Sequence, residues 1–146
     1  MLFSKEYDLS FSKEDITVAL TSELDKWWPN AFEGVALKAA DRFTLNFLTI
    51  KMDFEVGLIL EGLIGWYCTK AHSPPVKDEI LSWKGSIISW QFSPINLTIN
   101  HYNLPENIEY NVLFIKEWDA IVRSLKNWLK RKAKELKEQI TLLTDK

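Results

Sequence analysis

The sequence predicts an α+β fold in which a curved antiparallel sheet packs against one long carboxy-terminal helix. Two observations carry that prediction. Between Phe32 and Tyr102 apolar and polar residues alternate with a period of two, and aromatic and β-branched types are frequent, as half-buried strands require. Beyond Tyr110 the period becomes three and four: Trp118, Ile121, Val122, Leu125, Trp128 and Leu129 recur on one face, the stripe of a helix that buries a broad side. A sheet with one apolar face must be covered, and only that helix is large enough to cover it.

The elements follow in order. Residues 2 to 9, with Leu2, Phe3, Tyr7 and Leu9 against Lys5, read as a strand. Ser12 then stands where a helix cap is needed, Asp15 can return the capping bond, and Phe11 can pack on Ile16, so a helix starts here with Ile16, Ala19 and Leu20 inward. Ser22 and Asp25 repeat the signal for a second short helix carrying Leu24, Trp27 and Trp28. Pro29 ends it, because the residue before a proline is biased away from helical dihedrals. The paired tryptophans pose a question, since neighbours on a helix point roughly 100° apart and two such rings should not share one part of a core.

Strands fill the middle of the chain. Phe43, Leu45 and Phe47 share one face, and Met52, Phe54, Val56 and Leu58 alternate with Asp53, Glu55 and Gly57, with turns at Gly62, at Ser73 to Pro75 and at Ser93 to Pro94. About six strands are expected in all. The last helix continues through Ala133, Leu136, Ile140 and Leu143; about 28 residues at 1.5 Å each would make it roughly 42 Å long. That exceeds what one small domain needs, so residues 1–146 are expected to form a single domain from which 130–146 extend. Antiparallel pairing with a second copy would cover the exposed aliphatic series and make a homodimer.

Composition narrows the function classes. The chain has 146 residues, 47% hydrophobic and 26% charged, which suits one folded core. Aromatic residues make up 13%, with seven Trp among them, and Trp couples a large apolar area to an N–H that needs a partner when buried. A net charge of −2 offers no positive field for nucleic acid or an anionic membrane. No apolar run reaches the roughly 18 to 20 residues of a membrane span, and the first residues do not resemble a signal peptide. Cys68 is the single cysteine, which leaves no intrachain disulfide and fits a reducing, cytoplasmic setting.

Five local patterns resemble those of a known family. They are Leu20-Thr-Ser-Glu-Leu-Asp-Lys-Trp-Trp28, Gly65-Trp66-Tyr67-Cys68, Trp83-Lys-Gly-Ser-Ile-Ile-Ser-Trp90, Leu97-Thr-Ile-Asn-His101, and the helix from Trp118 to Leu129. In this order they resemble the helix-grip fold of the START/SRPBCC superfamily, in its branch similar to the activator of heat-shock protein 90 ATPase. The likeness spans about residues 3 to 130. Ser86 stands where that family usually has Thr, and the segment after Lys130 is longer and more charged than its pattern. The resemblance implies that the sheet grips the long helix, and that the second short helix lies at the mouth of a groove where one tryptophan docks and the other acts as a lid.

Alternation then proposes the lining of that groove. Ser86, Ile88, Trp90 and Phe92 fall on one strand face, Leu97, Ile99 and His101 on the next, and Trp66 is in phase with Ile64 and Cys68. With Trp27, Trp28, Phe47 and Phe54, and with Trp118, Val122 and Leu125 from the helix, these residues would enclose a flat apolar molecule. His101 has a pKa range suited to proton transfer, but no carboxylate stands at a spacing that orients it, and a structural histidine is the plainer reading. His72 belongs to a solvent-facing loop, Cys68 lacks a local base, and two scattered His give no metal site. No phosphate loop, nucleophile elbow or zinc-protease motif occurs, so neither catalytic residues nor a cofactor are assigned.

The expected function is therefore binding of a small hydrophobic or aromatic ligand. A co-chaperone-like interaction module comes second, resting on the resemblance, and a cyclase- or hydrolase-type enzyme, which would need His101 beside an acid or Ser, third. Lys126, Lys130, Arg131, Lys132, Lys134 and Lys137, interleaved with Glu135 and Glu138, are read as a solvated helix face.

Overall fold

The computed structural model describes residues 2–47, 50–72, 84–104 and 108–144, with side chains of the last segment from residue 116 onward. Strand β1 (Phe3–Asp8) is followed by helices α1 (Lys13–Leu20) and α2 (Leu24–Trp27). Strands β2 (Phe32–Gly34), β3 (Arg42–Phe47), β4 (Ile50–Leu60), β5 (Leu63–His72), β6 (Ile87–Phe92) and β7 (Asn96–Tyr102) come next, and α3 (Ile108–Thr144) last. The strands form one seven-stranded antiparallel sheet in the order β1-β7-β6-β5-β4-β3-β2. The seventh strand is β2, three residues long and too short to show a period. Because β1 lies at one edge and β2 at the other, the α1–α2 segment crosses the sheet between them. The expected turn at Ser73 to Pro75, and Trp83, lie outside the described residues.

Alternation holds in β3, where Phe43, Leu45 and Phe47 are buried, and in β6 and β7, where Ile88, Trp90, Phe92, Leu97, Ile99 and His101 are. It fails once in β4. Val56 faces Trp66 but Leu58 faces Gly65, so Gly57 is an extra residue and the side chains after it exchange faces. Leu58, expected inward, is 39% exposed; Ile59 takes the inner place opposite Ile64 and packs on the core. A second irregularity lies at Asp53/Phe54. Bulges of this kind bend strands and increase twist, which lets the sheet curve around a helix.

Gly62 makes the hairpin between β4 and β5 with φ +78, and its carbonyl accepts from the Phe92 N–H at 2.9 Å. A Cβ there would sit 2.8 Å from the Phe92 carbonyl oxygen. Gly62→Ala combines an unfavourable dihedral with that clash, so a loss of about 1–2 kcal/mol is expected, readable as a lower urea midpoint with an unchanged slope.

At α1 the Ser12 hydroxyl accepts from the Asp15 N–H at 3.1 Å, as the sequence implied. The second start signal is different. The residue before α2 is Glu23, with no side-chain cap bond, and Ser22 lies in the turn before it. The Glu23 carboxylate instead reaches α3, where it receives the Lys132 ammonium at 2.8 Å and the Trp128 indole N–H at 3.2 Å. Helix α3 is 37 residues long, longer than expected, and spans roughly 56 Å. Between Trp118 and Leu129 it covers the sheet with Trp118, Ile121, Val122, Leu125 and Leu129, all buried; beyond Ala133 it projects into solvent.

Candidate functional site

The paired tryptophans share the interior because only one of them is helical. Trp27 ends α2, whereas Trp28 has φ −57 and ψ 125, the extended conformation that Pro29 imposes on the residue before it. That step out of the helix cancels the angular separation of helical neighbours. Both rings turn inward, 3% and 6% exposed, with centroids 5.6 Å apart. The Trp27 indole donates to the Ala19 carbonyl at 2.6 Å and the Trp28 indole to the Asn46 carbonyl at 3.0 Å. The Ser124 hydroxyl on α3 donates to the Trp27 carbonyl, which fixes α2 to the long helix.

Around these rings the inner sheet face and α3 build an aromatic cluster. Trp66 lies 5.2 Å from Trp90 and 4.9 Å from Phe43, and Trp90 lies 5.4 Å from Trp118. Phe47 bridges Trp28 and Trp118, while Phe54 meets Trp66. Edge-to-face geometry dominates, the arrangement that ring quadrupoles favour. Ile88, Ile99, Val122 and Leu125 close the sides and are 0–4% exposed. All twelve residues expected to line the groove are therefore buried between sheet and α3. They do so with their rings in mutual contact, so the neighbours of each ring are largely other rings. Phe43 belongs to the cluster too, and its place in the period-two run of β3 was the signal for it.

Polar groups inside the cluster are few. The indole N–H groups of Trp66, Trp90 and Trp118 have no acceptor among the described residues, although each ring is at most 1% exposed. His101 and Ser86 are also fully buried, with Nε2 and Oγ 3.2 Å apart. Burial pushes the His101 pKa down to about 3, so the ring is neutral at ordinary pH. Burial likewise pushes the Cys68 thiol up to about 12, over the opposing hydrogen bonds with the Lys70 backbone and the Ser86 side chain. A neutral, weakly basic imidazole beside an un-ionised thiol and a hydroxyl is a hydrogen-bonding cluster rather than an activated nucleophile.

His72 is not a bystander in a loop. It ends β5, and its Nε2 lies 2.9 Å from Asp53 Oδ2 on the outer face. Partial burial acts to raise the Asp53 carboxyl, but hydrogen bonds from Thr44 and His72 and the neighbouring charges outweigh it and hold it below the usual range. Among the described residues no three His, Cys, Asp or Glu side chains group as a metal site, and no helix is long and apolar enough to cross a membrane. The surface carries a depression of about 360 Å³ between α2 and β2, lined by Thr21, Ser22, Asp25, Phe32 and Leu37 among others.

No protein-family model matches the chain, and no curated protein matches its sequence. Solved structures do match its fold. The Aha1 dimer from Colwellia psychrerythraea superposes with a TM-score of 0.69 at 23% identity, over 88% of this chain and 96% of that one. A Mesorhizobium loti protein, MLL2253, gives 0.69 at 18% identity, over 90% and 98%. The AHSA1 protein from Silicibacter pomeroyi gives 0.66 at 14% identity, over 90% and 99%. With its curved antiparallel sheet, two short helices and long terminal helix, the chain has the helix-grip fold, and the solved structures that it resembles include Aha1-like proteins.

Proposed function

We propose that the chain binds a small hydrophobic or aromatic compound bearing an acceptor oxygen, held between the inner sheet face and α3. The observation that carries this reading is the trio of indole N–H donors on Trp66, Trp90 and Trp118, sealed among aromatic rings without a protein acceptor among the described residues. A buried donor left unmet costs about 1–3 kcal/mol, and contact with a ring face recovers only part of that. A carbonyl or phenolic oxygen placed between the rings satisfies such donors, while its aromatic body replaces ring–ring contacts with equivalent ones.

Entry requires a ring to turn, and Trp28 is the candidate. It is the most exposed of the five clustered tryptophans and the only one outside regular structure, and one hydrogen bond to Asn46 holds its indole. Ser86 and His101 supply a further polar anchor at the wall. Their pairing is the one observation that favours a catalytic reading, but an imidazole whose pKa is held near 3 draws a proton from a serine hydroxyl poorly. A cytoplasmic setting is consistent with the free thiol of Cys68.

The test is a panel of flavonoids and naphthalene dyes, each paired with an analogue lacking the oxygen. Oxygen-bearing members are expected to quench tryptophan emission and to stabilise the chain by about 2.7 kcal/mol at a hundredfold excess over Kd, a rise of several degrees in Tm. Trp118→Phe should narrow the gap between each compound and its analogue. If no compound changes either signal, or the paired compounds act alike, the reading is wrong.

A further inference from the structure

Helix α3 changes its relation to the rest of the chain at Leu129. From Trp118 to that residue its apolar side is covered by the sheet and α2; after it the same side continues uncovered. Leu129, Ala133, Leu136, Ile140 and Leu143 recur at steps of four, three, four and three, the spacing of a seam that packs against another helix. Leu136, Ile140 and Leu143 are 59%, 53% and 73% exposed. Where this seam leaves the domain it forms an apolar groove of about 230 Å³, with Lys132 and Lys137 beside it and Asp15 of α1 at its inner end.

The charges on one flank of the seam share a sign. At about 100° per residue, Lys130 and Lys137 line one flank and Lys132 the other, with Glu135 behind Lys132 and Glu138 at the back of the helix. Lys132 is already matched by Glu23. Lys130 and Lys137 make no ion pair with a described residue, and Lys130 is exposed. A second copy of this chain fits the seam badly. In the antiparallel register that sets Ala133 against Leu143 and Leu136 against Ile140, the two Lys137 side chains face one another. Like charges at such positions disfavour pairing.

We infer that the projecting part of α3 docks an amphipathic helix of another protein, one that offers leucine-type side chains to the seam and a row of Glu or Asp to Lys130 and Lys137. Four apolar side chains along roughly 15 Å of helix fall short of the roughly 800 Å² per partner of a stable interface, so the complex is weak, transient and sensitive to salt. The site is separate from the aromatic cluster and does not depend on it.

Two synthetic helical peptides test the assignment on the full chain, both with leucine at the seam positions, one with Glu and the other with Lys on both flanks. By fluorescence anisotropy at low salt the Glu peptide is expected to bind at least tenfold more tightly, with the difference shrinking as salt rises. The exposed double substitution Lys130→Glu with Lys137→Glu should reverse the order, and Leu136→Ser with Ile140→Ser should abolish both, with circular dichroism confirming an intact fold. Equal binding of the two peptides, binding of neither, or an order that survives the charge reversal overturns the inference. So does a dimer in sedimentation equilibrium that the Leu136 and Ile140 substitutions dissolve, which would identify the occupant as a second copy.

Discussion

Trp90→Ala is expected to lower the unfolding free energy by about 3–5 kcal/mol, the range for truncating a large buried aromatic, whereas Trp90→Phe should cost about 1 kcal/mol or less. Trp90 is fully buried and meets Trp27, Trp66 and Trp118 edge-on at 6.3, 5.2 and 5.4 Å. The void left by alanine cannot collapse readily, since Trp27 is pinned by its bond to the Ala19 carbonyl and by Ser124 on its own carbonyl. Phenylalanine keeps most of the ring contact. It also deletes an N–H that has no acceptor among the described residues, and losing an unmet donor offsets part of the lost area. Urea unfolding of both variants separates the terms. If Trp90→Phe costs as much as Trp90→Ala, the indole N–H is making a favourable bond, and the argument from three unmet donors loses its basis.

What could be read from the sequence follows from the range over which each signal acts. The period of α3 and the alternation in β3, β6 and β7 are set by which face is buried, and that pattern is written directly into residue type. Two departures arose where geometry depends on a partner element, and a third, at Trp28, is local. The phase of β4 after Gly57 depends on the strand beside it, because a bulge is defined only by a pairing. Glu23 rather than Ser22 precedes α2, and its carboxylate meets Lys132 and Trp128, more than a hundred positions away. Trp28 lies just past the end of the helix, so the hundred-degree rule ceases to apply one residue earlier than the sequence alone suggested.

The site divides in the same way. Alternation and the helical stripe point ten of the twelve lining residues to the interior, since each strand has only two faces and one is apolar; Trp27 and Trp28, expected as one docked ring and one lid, are both buried instead. How much space remains between them is a matter of rotamers and curvature, and here the rings close on one another at 4.9 to 6.4 Å. The Ser86–His101 pair depends on register: His101 is opposite Ile88, which places Ser86 two residues along and within reach. No spacing within β6 or β7 alone reveals that alignment.

Acidification should destabilise the chain through His101 before its carboxylates protonate. The unfolded imidazole has its ordinary pKa near 6.5, while burial holds the folded one down at about 3. Above about pH 7 both states are neutral and the group contributes no slope. As pH falls below 6.5 the unfolded chain takes up a proton that the folded chain refuses, so stability falls by about 1.4 kcal/mol per pH unit, and the loss levels off only near the folded pKa. By about pH 5 it amounts to about 2 kcal/mol. Asp53 and Asp119 are held below the usual carboxylate range by their partners, so their stabilising contributions are present above the ordinary carboxylate pKa, near 4, and fade only below it. The window between about pH 4 and 6.5 belongs mainly to His101. His101→Gln keeps a polar group facing Ser86 but cannot titrate, so its urea-derived stability should stay nearly flat across that window while the parent chain's declines. Equal slopes in the two proteins would mean that the buried imidazole accepts its proton without leaving the fold, and that the interior is wetter around Ser86 than its burial implies.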